Sequence, residues 1–264
     1  MKFRLLSLVG KRGARPPIMK SIPASVLPVS NVPTSAHDEN LERAMQASVA
    51  RQRESDPYLG AKFAGREIFM RVSEALEEID DRLRAQSLLC ALGAVAGHAC
   101  QASVCAQSLL AGNAPDEAFQ VLPGSDGKNY FAGEALDGPL AANKMSVWSL
   151  ATGAAQHHGA DSLPDLEEIF RHNVSVVGSA QFGVPRLPPE HPVHATPIEF
   201  ATRLWPLVHA PVSKLTGNPK LWPIAAGIAI QEAIALTKDV VPPEVAVRIV
   251  MECAIPVSKI PIEV

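Results

Sequence analysis

Residues 85–110 read AQSLLCALGAVAGHACQASVCAQSLL, and the fold class turns on this stretch. An apolar seam enters it from upstream. Phe69, Val72, Leu76, Ile79 and Leu83 recur with 3-4-3-4 spacing, the period of a helix that packs lengthwise on a partner. The seam continues through Gln86, Cys90, Gly93, Gly97 and Cys100, where the side chains shrink and a neighbouring backbone can approach closely. Residues 85–110 are therefore expected to form a buried, central helix. A seam as long as 69–83 also argues for self-association, because such stripes seek a second helix.

Helical patterning extends in both directions. Residues 38–54 are charged and proline-free, and Asp56-Pro57 closes them. Downstream, helices are expected near 143–158, stopped by Gly159, and from a Ser162 cap through Pro164 to about Val176. Residues 178–196 are expected as loop. Thr196-Pro197-Ile198-Glu199 has the spacing of a capping box, and Asn218-Pro219 and Pro242-Pro243-Glu244 open two more helices. A single hairpin interrupts this grammar: 119–122 and 129–132 flank a turn containing Asp126-Gly127. The expectation is an all-α protein of about eight helices, a bundle or short helical-repeat array, with one appended β-hairpin near 119–132.

Aligned without gaps, residues 197–215 match 242–260 at 8 of 19 positions. Pro197, Glu199, Ala201, Arg203 and Pro211 recur as Pro242, Glu244, Ala246, Arg248 and Pro256. Each copy reads as a proline start, a Glu–Arg pair on the exposed face, an apolar stripe and a proline stop. The offset of 45 falls within the range of HEAT and armadillo helical repeats, without either signature. A helical duplication and a chance match both fit.

Residues 1–37 form a different region. They carry a charge of +6 and no acid, while the remainder carries −9. Three aliphatic-Pro-x-Ser-x pentads run from Ile22 to Ala36, which favours an extended arm, either a linker or a strap over a groove. A domain boundary is placed at 37/38, with one helical domain over 38–264. The arm's charge is modest for nucleic acid, and Phe3 is its only aromatic residue, so no clear nucleic-acid partner is implied. Contact with an anionic membrane surface remains a weak alternative.

No transmembrane segment is expected, since the longest uninterrupted apolar run covers only Leu88–Gly97. Neither a secretory signal nor an amphipathic presequence fits the proline-rich start, so the expected compartment is cytoplasmic. Four cysteines without a C-x-x-C pair fit buried free thiols. With 47% apolar and 19% charged residues, 17 glycines and 23 prolines, the chain is neither collagen-like nor wholly disordered. P-loop, dinucleotide-fold, zincin, nucleophile-elbow and EF-hand motifs are all absent, and no cofactor is implied.

Polar residues inside small-residue helices are the candidate site. Gly97-x-Ala99-x-Gln101 and Gly227-x-Ala229-x-Gln231 share one pattern, and Gly153 to His158 is a looser relative. If these helices meet, His98, Gln101, Gln156, His157, Gln231 and Glu232 form one buried cluster. Unpaired buried polar groups each cost roughly 1–3 kcal/mol, so partners are required. That cluster is either a satisfied network or a ligand site. Asp165, Glu168 and His172 share a helix face, and Glu168 with His172 is a weak metal candidate beside an ordinary ion pair. His191 and His194 share the proline-rich loop. Trp205-Pro206 and Trp222-Pro223 read as packing residues or as the wall of a peptide groove. The functional expectation is a binding or scaffold protein using a groove between helices, for a peptide or small molecule. The alternative is an enzyme or sensor built on the His/Gln/Glu cluster.

Overall fold

A computed structural model describes residues 56–79, 84–187 and 195–261, together with 189 and 193. The arm over 1–37, the helix expected at 38–54, Leu83, His191 and His194 lie outside these residues. Among those described, seven helices exceed eight residues: α1 (Leu59–Ile79), α2 (Ala85–Leu110), α3 (Val147–His157), α4 (Leu166–Ser175), α5 (Pro197–Thr216), α6 (Trp222–Thr237) and α7 (Pro243–Lys259). One antiparallel hairpin pairs β1 (Gln120–Pro123) with β2 (Asn129–Ala132). The chain is mainly all-α, as its periodicity requires.

Helix α2 is the axis. Every residue from Leu88 to Gln101 is buried, on all faces, because α1, α5, α6 and α7 all pack against it. An outer series closes round it: α5 lies on α1, α1 on α6, α6 on α3, and α3 on α7. Of the expected seam, Val72 and Leu76 lie in the core and Phe69 packs against it, on a helix that meets α5 and α6 within the chain.

Small residues set the spacing of these helices. A β-carbon on Gly93 would stand 2.6 Å from the Val250 carbonyl oxygen, and one on Gly97 would overlap the Ala254 backbone. The pair Gly93/Gly97 therefore meets Val250/Ala254 turn for turn along α2 and α7. Gly65 does the same for α1 against α6, where a β-carbon would lie 2.8 Å from the Ala225 carbonyl oxygen.

By length and composition α2 is apolar enough to cross a membrane, with a mean hydropathy of 1.6, and 89% of that window is buried in the fold. Counting uninterrupted apolar residues missed this, because His98 and the serines and glutamines break the run, while the aliphatic and small residues around them keep its average high. One such helix is also what the core of a helical protein looks like.

The hairpin is fastened from both sides. Phe119 stacks on Phe131 at 4.4 Å, and Tyr130 meets Phe182 edge-on at 5.0 Å. Gly127 supplies the left-handed residue of the turn, with φ of 78°. The Thr196–Glu199 capping box forms reciprocally, with Thr196 N donating to Glu199 Oε2 at 2.8 Å. Two boundaries differ from expectation. Helix α4 is capped by Asp165, whose Oδ1 accepts from Glu168 N at 3.1 Å, and not by Ser162. Residues 134–142, unassigned by pattern, form a helical turn (Glu134–Asp137) and a π turn (Gly138–Ala142) that lead into α3.

The two similar segments become α5 and α7, and both pack on α2. Pro211 and Pro256 do not stop them: each helix runs several residues further, to Thr216 and Lys259. The buried Val212 and Val257 that follow each proline keep the apolar stripe, and the helix, on the core. Their outer neighbours differ, α1 for one and α3 and α4 for the other.

Candidate functional site

The expected polar cluster is not assembled; its six members go to five separate places. His98 is buried, and its ring meets Trp205 edge-on at 4.8 Å. Gln101, three residues on, faces α7, where its Nε2 donates to the carbonyls of Ser258 (3.2 Å) and Ile260 (2.8 Å). Those carbonyls are orphaned at the end of α7, so Gln101 acts as a cap supplied by another helix. Gln231 Nε2 donates to the Leu150 carbonyl of α3 at 3.1 Å. Glu232 faces Arg66, and burial raises its carboxyl pKa. Gln156 and His157 lie exposed at the end of α3. The catalytic alternative rested on His98, Gln156, His157 and Glu232 sharing one space, and the helices separate them.

His98 has other company. Trp205 and His209 of α5 stack at 5.2 Å, and His209 meets Trp222 of α6 edge-on at 5.1 Å. Burial, with the charge of His209 adding to it, pushes the His98 pKa down to about 4; burial also lowers that of His209. Both imidazoles are neutral at pH 7. His98 Nδ1 and Trp222 Nε1 are buried without a hydrogen-bond partner. No sequence spacing announces this grouping, since its four members come from three helices.

The weak metal candidate resolves into an ion network. Both oxygens of Glu168 are held by the Arg186 guanidinium, whose Nη2 also donates to Glu252 Oε1 at 2.7 Å. The Glu252 side chain is 1% exposed, and Arg248 Nη2 stands 3.7 Å from both carboxylates. This network ties the loop after α4 to α4 and α7. Among the described residues no group of three or more His, Cys, Asp or Glu is placed to hold a metal ion. Arg248 reaches these acids in place of the exposed partner expected at Glu244.

Two clefts open near the hairpin. One, of about 490 Å³, lies beside the last turns of α2 at Val104, Gln107, Ser108, Asn113 and Glu117. Two of its polar side chains are engaged within the fold: Gln107 donates to Ser103, and Ser108 to the Ala114 carbonyl at 2.8 Å. The other, of about 420 Å³, is walled by Tyr130, Phe182, Ile198 and Ile260, with Asp126 and Lys128 among its polar residues. These come from the hairpin, the loop after α4, the start of α5 and the end of α7. Tyr130 Oη donates to Asp126 Oδ2 at 2.9 Å, so the ring presents an apolar edge while its polar end is satisfied. That hydrogen bond and burial raise the Tyr130 pKa, burial first. Sequence reasoning missed this cleft because the walls are separated by 130 residues of chain.

Comparison with protein families, curated proteins and solved structures finds no match.

Proposed function

We propose that this chain is a helical binding protein whose ligand seat is the cleft beneath the hairpin. The observation that carries the reading is convergence: four chain segments contribute Tyr130, Phe182, Ile198 and Ile260 to one opening of about 420 Å³. Ligand sites combine such apolar walls with a few placed polar groups, here Asp126, Lys128 and Asn129. The volume suits a small molecule or one or two side chains of a peptide. The rigid helical frame beneath supplies preorganisation, which reduces the entropy lost on binding.

The test is a nuclear magnetic resonance titration of the full chain with a collection of small aryl and branched aliphatic carboxylates and amides. Binders are expected to move the methyl signals of Ile198 and Ile260 together, and Ile198→Glu is expected to weaken them at least tenfold. Binders that instead move Val104 at the other cleft, or a collection that moves neither group, would overturn the assignment.

A further inference from the structure

We propose that Cys90 and Cys253 form a disulfide site, a covalent link between the central helix and the last helix that is made as the chain folds. The Cys253 thiol donates to Cys90 Sγ at 3.0 Å, across 163 residues of sequence. A disulfide holds its sulfurs at about 2.05 Å, so closure needs each to move by roughly half an ångström. The surroundings keep the two helices at this distance. Gly93, one turn from Cys90, lies so close to α7 that a β-carbon on it would stand 3.2 Å from Cys253 Cβ. Gly97 repeats the contact one turn further on, at Ala254. The pair thus sits beside a close backbone approach in the α2–α7 interface.

Both cysteines are wholly buried, and burial with the neighbouring Cys90 thiol pushes the Cys253 pKa up. Thiols in such a setting are poor nucleophiles and are shielded from bulky reagents. The link is therefore made before α7 closes over α2. In a chain still folding, one thiolate attacks a small-molecule disulfide such as oxidised glutathione, giving a mixed disulfide and releasing one glutathione thiol. The second cysteine thiolate then attacks the protein sulfur of the mixed disulfide and expels the other glutathione. Two protein thiols are oxidised, one glutathione disulfide is reduced to two thiols, and the protons pass to the released thiolates. Once α7 is seated the same burial protects the bond from reductants, so the folded chain records the redox state in which it folded.

The experiment folds the full chain from denaturant in oxidised and reduced glutathione, unfolds the product again without reductant, blocks the remaining thiols with iodoacetamide in denaturant, and reads intact mass and a peptide map. The expected product has lost two hydrogens, links the peptides bearing Cys90 and Cys253, and leaves Cys100 and Cys105 alkylated. Its melting temperature is expected to exceed that of the thiol form by roughly 5–15 °C, given the long loop closed. It is expected to resist dithiothreitol until denaturant is added. Where refolding in vitro is poor, the same measurements on chain produced in an oxidising bacterial compartment serve. A folded chain with four alkylated thiols, a link between any other pair, or a linked form that melts below the thiol form overturns the proposal.

Discussion

Gly97 of α2 stands against Ala254 of α7 with no space for a side chain between them. A methyl group there must displace backbone, which cannot give as a flexible side-chain end can. Gly97→Ala is therefore expected to destabilise the chain by roughly 1–3 kcal/mol despite alanine's better helix propensity. Urea unfolding followed by circular dichroism measures this. A variant as stable as the parent would show that the two helices separate without cost.

Gly153 offers the opposite case. It lies exposed within α3, and a β-carbon on it would meet nothing within 4 Å. Gly153→Ala is expected to stabilise by about 0.4–1 kcal/mol, chiefly by restricting the unfolded chain. The comparison of these two glycine-to-alanine variants in one assay separates packing from propensity.

Arg186 neutralises a carboxylate, Glu252, that has almost no contact with solvent. Arg186→Met should cost roughly 3 kcal/mol, at the low end for a broken buried pair because the arginine is itself 30% exposed. Adding Glu252→Gln should recover part of the loss by removing the stranded charge. A double-mutant cycle in denaturant reads the coupling, and additive losses would contradict the network.

Glu168 makes the same network sensitive to acid. The Arg186 guanidinium holds its carboxyl below the ordinary value of 4.5. The folded state therefore keeps this group ionised where the unfolded chain protonates it. The stabilisation is complete above pH 4.5 and is lost as pH falls below that value. Because Glu168 is partly exposed, the effect is expected to be small. Glu168→Gln should flatten the acid limb of the stability curve and leave the neutral region lower but parallel.

His98 acts in a higher pH window. Its pKa is about 4 in the folded chain against 6.5 ordinarily, so the unfolded chain binds the proton first. Stability is expected to be full above pH 6.5 and to fall by up to about 1.4 kcal/mol per pH unit down to pH 4. His98→Leu should remove that slope, and the Trp205 and Trp222 fluorescence of the parent should change only as the chain unfolds. A parent with flat stability across this window would mean that the imidazole charges without leaving its place.

The sequence carries the central helix well. Residues 85–110 are apolar on every side, and only a helix enclosed by others can hold them; the structure begins and ends α2 at the expected residues. The hairpin and the Thr196 cap are equally legible because their signals are local. The site is not. His98 and Gln101 are three residues apart, yet one faces α5 and the other the end of α7, since α2 has neighbours all round. Periodicity tells which residues share a face and not which helix the face meets. The shared Gly-x-Ala-x-Gln pattern reflects close packing, and its glutamines satisfy backbone carbonyls in different places, Gln101 at the end of α7 and Gln231 in α3. Glu168 and Glu252 lie 84 residues apart, and only the fold brings both to Arg186.

The enclosure of α2 has a consequence in time. Its closest partner, α7, is the last helix of the described chain, so about 150 residues separate the end of the one from the end of the other. At roughly 5–20 residues per second of synthesis, α2 leaves the ribosome on the order of ten seconds or more before its cover exists. Throughout that interval one face of an uncharged 26-residue helix with the hydropathy of a membrane segment lacks the helix that covers it. The order of synthesis alone thus leaves that face of α2 open until the last helix arrives to cover it.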